Sequence, residues 1–229
     1  MKVLTLIADI DEYAPFKTNI KACLTEEFTF LGMPGLKFTY KSFEVTVLCF
    51  GIGKVHAAVG AAAALMNKKY DLVLNTGWSG AVSGVQKGEI VIGKQFFECD
   101  YDMSAIGYAP GLKPYHKEAG ITCNNKYLQA VIGSGLFPVK IFGCGDIFLS
   151  DKELAGKYRR LFNINTFDME SGAIAEACSA FKVPFLSIRK ISDSADDVAG
   201  TDYRETLHGD DTAFSEIITA TLDIIANGS

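Results

Sequence analysis

Residues 44–67 have the sequence EVTVLCFGIGKVHAAVGAAAALMN. The first part is an apolar run rich in β-branched residues, which is typical of a strand buried on both faces. Two glycines follow at positions 51 and 53, and the alanine-rich segment after them favours a helix. A strand, a glycine turn and a helix in this order indicate an α/β fold.

The same alternation continues in both directions along the chain. Further strands are predicted at 3–7, 72–75, 90–92 continuing toward 99, 139–142 and 185–191. Helices are predicted at 54–67, 125–132, 152–161, 170–181 and 211–226, and the runs 37–40 and 44–50 indicate an antiparallel hairpin. No linker or repeat divides the chain. We expect one domain over residues 1–229, a three-layer sandwich with a central mixed sheet flanked by helices.

Composition excludes several classes of function. The net charge is −5, so the chain has no basic excess with which to bind nucleic acid as its main partner. The six cysteines have no CxxC spacing and the three histidines are far apart, so we expect no disulfide framework, metal site or cofactor. No apolar stretch approaches the ~20 residues that span a bilayer, and Asp9 interrupts the N-terminal apolar run too early for a signal peptide. We therefore expect a cytoplasmic protein without a membrane partner.

Two glycine-rich segments, 50–54 and 75–81, each follow an apolar run. In open α/β sheets ligands bind at the carboxyl ends of the strands, where small residues let the backbone approach the ligand. Neither segment fits the dinucleotide motif GxGxxG or the phosphate loop GxxxxGK[ST]. Each alone is more often a plain tight turn, so neither segment identifies a ligand by itself.

Acidic residues occupy two further positions where chemistry is expected. In the segment 167–173, FDMESGA, Glu170 is suited to accept hydrogen bonds from a vicinal diol, although capping of the following helix also explains Asp168 or Glu170. In the segment 187–193, SIRKISD, a strand carrying Arg189 ends at Asp193. This carboxyl group either protonates a leaving group or forms a cap or turn.

Taken in this order along the chain, seven short segments resemble the nucleoside phosphorylase/nucleosidase superfamily. They are GIGKV at 51–55, NTG at 75–77, GEIV at 88–91, DYDMSAIGY at 100–108, GDIF at 145–148, ME at 169–170 and ISD at 191–193. The stretch 100–108 is the most specific, because related phosphorylases do not usually carry it in that form. Within the superfamily the chain is most similar to 5′-methylthioadenosine/S-adenosylhomocysteine nucleosidases. The resemblance implies hydrolysis of the N-glycosidic bond of either nucleoside, releasing adenine and a 5′-thioribose.

The resemblance also implies a role for individual residues. Asp193 would protonate N7 of adenine, and Glu12 would orient and deprotonate the attacking water with Arg189 nearby. Met169 and Glu170 would hold the ribose hydroxyls. Such a pair of carboxyl groups suits the reaction, because bond cleavage needs an acid on one side and a base on the other.

The remaining expected contacts are apolar or aromatic. Phe148 would stack on the purine while backbone groups of Phe148 and Leu149 read its edge, Tyr203 would help to close the 5′ pocket, and Ile52 would contact the substrate. A homodimer is expected, in which the segment 103–114 completes the neighbouring subunit's site. The residues expected to reach that site are Met103, Ile106 and Tyr108, with Pro114 further along.

Trp78 departs from the family pattern, since nucleosidases usually have a small hydroxyl residue after NTG. The indole either lines the ligand site or packs into the core. Three rival functions follow: a phosphorylase of the same fold, a futalosine or aminofutalosine hydrolase, and a catalytically silent nucleoside sensor. The absence of arginine before Arg159 opposes a phosphorylase, since the family binds phosphate with N-terminal arginines. A sensor has no need for both Asp193 and Glu12.

Overall fold

The computed structural model describes residues 1–207 and 212–228, in which strands and helices alternate. The strands are β1 (Lys2–Ile7), β2 (Leu24–Phe30), β3 (Met33–Tyr40), β4 (Phe43–Cys49), β5 (Leu72–Ala81), β6 (Ile90–Glu98), β7 (Ile121–Thr122), β8 (Val139–Cys144), β9 (Thr166–Asp168) and β10 (Phe185–Asp193). The helices are α1 (Ile10–Asn19), α2 (Lys54–Asn67), α3 (Lys126–Ser134), α4 (Lys152–Phe162), α5 (Ser171–Phe181), α6 (Ala199–Leu207) and α7 (Ala213–Asn227).

Every strand and helix predicted from periodicity has a counterpart, and the α/β fold around a large mixed sheet is confirmed. The predicted hairpin joins β3 to β4, with Lys37 opposite Thr46. The predicted helix 211–226 begins at Ala213, and residue 211 lies outside the described part of the chain. Two helices, α1 and α6, were not predicted. Both begin in polar stretches that lack the regular apolar spacing from which the other helices were predicted.

The sheet is closed at one side and open at the other. Strand β5 pairs with β10 and β9, β10 pairs with β6, β6 pairs with β8, and β8 pairs with β9, so these five strands form a ring. From β5 the sheet continues through β1, β4 and β3 to β2. The ring is an addition to the predicted sandwich. It closes because β10 joins β5 to β6 and β9 joins β5 to β8.

Strand β2 is the outermost strand at the open side, and most of its side chains are exposed or half-buried. Two of them form ion pairs with neighbouring elements. Glu26 lies 2.7 Å from Nζ of Lys37 on β3, and Glu27 lies 2.6 Å from Nζ of Lys17 on α1.

Four parallel neighbours place the functional residues. Strands β10, β5, β1 and β4 lie side by side in one direction, so their carboxyl ends share one edge of the sheet. Helices α2 and α5 pack on each other, and α7 packs against α3, α1 and β5. Within the described residues, no helix is long and apolar enough to cross a membrane.

Candidate active site

A cavity of about 290 Å³ opens at the carboxyl ends of these strands. Ten of the residues predicted from the sequence line it, which are Glu12, Ile52, Trp78, Phe148, Leu149, Met169, Glu170, Arg189, Asp193 and Tyr203. They come from seven separate parts of the chain. The fold therefore brings together residues that the sequence offers only as scattered segments.

Glu12 enters the cavity from the first turn of α1. Asp9 caps this helix by accepting the N–H of Asp11, which fixes the turn that carries Glu12. Oε1 of Glu12 accepts the backbone N–H of Trp78 at 2.9 Å, whereas Oε2 has no hydrogen-bond partner among the described residues. Burial raises the pKa of Glu12 to about 8, against the opposing effect of Arg189. This carboxyl group can therefore accept or release a proton near neutral pH.

Gly77 makes room for Glu12 beside the central arginine. A Cβ atom at this position would lie 2.6 Å from Nη1 of Arg189 and 2.9 Å from each carboxyl oxygen of Glu12. Both groups are buried, so neither could move away into solvent. The glycine in the NTG segment is therefore required for close packing of this charged pair.

Arg189 lies at the centre of the site with 1% of its surface exposed. Nη2 donates to Oδ1 of Asn75 at 2.8 Å and to Oε2 of Glu170 at 3.2 Å, and Nη1 donates to the carbonyl of Trp78 at 3.2 Å. Burial lowers the pKa of Arg189, but the carboxylates of Asp168 and Glu170 outweigh this effect and raise it. The guanidinium stays charged and holds the surrounding acids in place.

Glu170 and Asp168 divide the two functions that the sequence left open. Oδ1 of Asp168 accepts the N–H groups of Glu170 at 2.9 Å and Ser171 at 2.7 Å, so Asp168 satisfies the start of α5. Glu170 makes no side-chain cap and lines the cavity, where Oε1 accepts the N–H of Gly53 at 3.1 Å. Burial raises the pKa of Glu170, with Arg189 opposing it. Capping therefore explains Asp168 but not Glu170.

Asp193 lies at the carboxyl end of β10 with 3% of its surface exposed. Oδ1 accepts the N–H of Ala195 at 2.8 Å, and Oδ2 accepts the hydroxyl of Ser192 at 2.6 Å. Burial raises the pKa of Asp193 despite these hydrogen bonds, and the charges of Asp202 and Asp196 add to the rise. The residue is thus both the turn residue that its local sequence indicates and a cavity-lining acid.

Aromatic side chains form the outer part of the cavity. Phe148 is half-exposed, and its ring lies edge-on to that of Tyr203 with 5.5 Å between centroids. Leu149 is buried beside Phe148, and Ile52 is half-exposed at the glycine turn after β4. Phe148 therefore offers an open ring face at the mouth, where a flat heterocycle could stack.

The phosphorylase superfamily model matches residues 2–226. The chain belongs to this superfamily. This chain is 33% identical to a 5′-methylthioadenosine/S-adenosylhomocysteine nucleosidase of Glaesserella parasuis, over 80% of the chain and 82% of the relative. It is 28% identical to the nucleosidase of the same name from Geobacillus kaustophilus, over 98% of each.

Solved structures of this superfamily have the same fold. This chain superposes with a TM-score of 0.89 on the 5′-methylthioadenosine/S-adenosylhomocysteine nucleosidase of S. pneumoniae with a transition-state inhibitor. The two are 26% identical, and the match covers 98% of this chain and 100% of the other. This chain also superposes with a TM-score of 0.88 on the futalosine hydrolase of Helicobacter pylori, at 22% identity and covering 97% of each chain. The likeness to the second structure shows a common fold only.

Three predicted contacts, Met103, Ile106 and Tyr108, do not line the cavity of their own chain. They lie around a short 3-10 turn (Ser104–Ile106), where Ile106 is 68% exposed. The segment is held at both ends: Lys54 Nζ contacts Oδ1 of Asp100 at 2.7 Å, and Lys113 Nζ contacts Oε2 of Glu176 at 2.9 Å. The expectation that this segment serves a neighbouring subunit stays a prediction.

Trp78 contacts the site residues through its main chain. Its N–H donates to Glu12, and its C=O accepts from Arg189. The indole is 7% exposed and lies edge-on to Phe214 of α7, with 5.0 Å between ring centroids. Nζ of Lys190 lies 5.7 Å from the ring on the same strand pair. This packing favours the core alternative for the side chain.

Sequence reasoning missed Asp9 and Ser192 as cavity residues and Asn75 as the buried partner of Arg189. Each lies at or just after the end of an apolar run in the sequence, and this position could have marked it as a site candidate. Asp9 also begins the motif Asp9-x-x-Glu12, which resembles a capped helix start. A polar residue directly after a buried parallel strand is therefore a site candidate in its own right.

Proposed function

We propose that the chain hydrolyses the N-glycosidic bond of 5′-methylthioadenosine, S-adenosylhomocysteine or both, releasing adenine and a 5′-thioribose. The observation that carries the proposal is a pair of buried carboxyl groups, Glu12 and Asp193, on one cavity whose size suits a nucleoside. The names of the relatives reported above support the choice of nucleoside.

The two carboxyl groups have environments suited to different steps. Burial favours the protonated form of Asp193, which can give its proton to N7 of the purine as the C1′–N9 bond breaks. Glu12 has an oxygen without a protein partner, and this oxygen can accept a proton from the attacking water. Water then adds to C1′, so the products are neutral adenine and a sugar with a hydroxyl group at C1′.

The ribose has a natural position between these acids. The carboxylate of Glu170 lines the cavity and is held by Gly53 and Arg189, so its orientation is fixed before a substrate binds. Such a carboxylate can accept hydrogen bonds from two adjacent sugar hydroxyls. A deoxy sugar would offer this buried carboxylate one hydrogen bond fewer, which is costly.

The cavity's charge favours water over phosphate as the nucleophile. Arg189 is the only arginine or lysine among the cavity-lining residues in the described part of the chain. Its terminal nitrogens already donate to Asn75, Glu170 and Trp78. A phosphate dianion would instead meet the carboxyl groups of Glu12 and Glu170, which repel it when they are ionised.

We include a homodimer in this proposal. Helix α2 and the turn before it expose an apolar row with roughly helical spacing, in which Ile52 is 48%, Val55 70%, Val59 54% and Met66 78% exposed. A two-fold partner would cover this row and bring the segment 103–114 to the neighbouring cavity. Light scattering at assay concentrations tests this directly, and a fully active monomer would contradict it.

Adenine release provides the test of the reaction. Purified protein is incubated with 5′-methylthioadenosine in buffer with and without phosphate, and adenine and the sugar product are quantified. We expect equal rates and a free 5′-thioribose in both buffers. A sugar 1-phosphate, or a rate that depends on phosphate, would establish a phosphorylase. The same assay on Asp193→Asn tests the proposed proton donor. Asp11→Asn, which removes an exposed carboxylate beside the site, is its control.

A further inference from the structure

Asp9 is a cavity-lining carboxylate that the proposed reaction does not use. Its Oδ1 accepts the N–H of Asp11 at 3.0 Å, and its Oδ2 accepts the hydroxyl of Tyr203 at 3.3 Å. No lysine or arginine forms an ion pair with it within residues 1–207 and 212–228. A carboxylate without a cationic partner therefore faces the ligand space.

The strand order separates Asp9 from Asp193 along the edge of the sheet that opens into the cavity. Asp193 ends β10, Gly77 lies on β5 between them, and Asp9 follows β1. Two steps between neighbouring strands separate the ends of β10 and β1 by about 9.5 Å. In the proposed function the purine lies at Asp193, so this separation leaves Asp9 for a part of the nucleoside away from the base, and the 5′ substituent is the part to which the reaction assigns no polar partner.

Helix capping alone does not account for this group. The cap uses Oδ1 only, and a neutral asparagine or serine caps a helix about as well as aspartate. Oδ2 accepts the hydroxyl of Tyr203, and both residues line the cavity. The pair thus forms a polar patch at a position where a plain thioether would offer it nothing.

We infer that Asp9, oriented by Tyr203, selects 5′-thio nucleosides whose 5′ substituent carries a cationic group or a strong hydrogen-bond donor, and rejects anionic substituents. The inference rests on the proposed function, because the direction of the nucleoside in the cavity comes from it. An ammonium group makes a charge-assisted hydrogen bond with a carboxylate, whereas a second carboxylate is repelled. Of the two proposed substrates, only S-adenosylhomocysteine carries an ammonium group on its 5′ arm, and it carries a carboxylate beside it.

Three adenosines that differ only in the 5′-thio arm provide the test. The arms are 2-aminoethylthio (cationic), methylthio (neutral) and carboxymethylthio (anionic). Their affinities are measured by calorimetry in an Asp193→Asn background, which prevents turnover, with and without Asp9→Asn. Asp11→Asn is the matched control, because it removes an equal charge two residues from Asp9 at a position that does not line the cavity. Asp9→Ser, which also caps without charge, replaces Asp9→Asn if the asparagine variant does not fold.

We expect the cationic nucleoside to bind most tightly and the anionic one most weakly. Asp9→Asn should lower the cation-to-anion affinity ratio at least about tenfold, and Asp11→Asn should change it much less. Equal changes in the two variants, or no charge preference, would overturn the inference. If the charge order holds but wild-type protein releases no adenine from 5′-methylthioadenosine, the hydrolase proposal fails and the role of Asp9 stands. If none of the three binds, both fail.

Discussion

Replacing Glu12 by glutamine tests whether a buried carboxyl group of the cavity holds a proton near neutral pH. Glutamine has almost the same shape, can still accept the N–H of Trp78 through its amide oxygen, and does not titrate. Burial raises the pKa of Glu12 from 4.5 to about 8, so the folded protein keeps this proton where the unfolded chain releases it. The two proteins should therefore respond differently to pH.

The sign follows from proton linkage. Between about pH 4.5 and 8 the folded state binds the extra proton, so the stability that Glu12 contributes is lost as pH rises through this window. Each pH unit costs up to about 1.4 kcal/mol, and the rise in pKa from 4.5 to about 8 gives a total of roughly 5 kcal/mol. Glu170, which also has a raised pKa, is present in both proteins and cancels to first order.

Urea unfolding of the wild type and Glu12→Gln at several pH values from about 5 to 9 measures this difference. We expect the free energy of unfolding of the wild type to fall relative to that of the variant as pH rises, and to level off above about pH 8. The kcat/KM of the wild type should rise over the same range, because a base must be ionised to act. A stability difference that stays constant between pH 5.5 and 8.5 would refute the reasoning.

Three further substitutions test the site and its packing. Asp193→Asn should lower adenine release at least ~100-fold with an unchanged circular dichroism spectrum, and near-normal turnover would exclude it as the proton donor. Gly77→Ala should destabilise the protein by about 1–3 kcal/mol, because its Cβ would lie 2.6 Å from Nη1 of Arg189. The control is Gly133→Ala, in open space on α3, which should stabilise the protein by roughly 0.5–1 kcal/mol. Equal effects in urea unfolding would contradict the steric argument. Trp78→Ala should cost about 3–5 kcal/mol; an unchanged melting temperature with altered kcat/KM would show that the indole faces the ligand.

The sequence predicted the fold well because its strands are apolar on both faces. Runs such as 44–50 and 185–191 must be covered by helices, and glycine turns such as 51–53 show where the chain reverses direction. Closure of the sheet could not be predicted, since it depends on β10 pairing with β5 and β6, and about 90 residues or more separate β10 from each of them along the chain. Periodicity reports burial, and it does not report which strands are neighbours.

Site residues were predictable where the resemblance to the family implied them, whereas contacts between distant loops were not. Glu170 and Asp193 lie in motifs at strand ends, so their positions were available from the sequence. Asp9 and Tyr203 are 194 residues apart, and only the fold brings the hydroxyl to the carboxylate. The side chain of Trp78 was undecided from sequence because its packing depends on Phe214, in another element.

The outer strand of the sheet also bears on how the protein avoids aggregation. Within the described residues, the strands of the ring pair with one another, and β2 is the long strand that leaves one edge of the sheet unpaired. Its outward backbone groups could pair with a second β2 strand, but such pairing would have to accommodate Glu26 and Glu27 and the lysines with which they form ion pairs. Charged side chains on an edge strand oppose edge-to-edge pairing, so replacing these two acids with neutral residues should make sheet extension between copies easier.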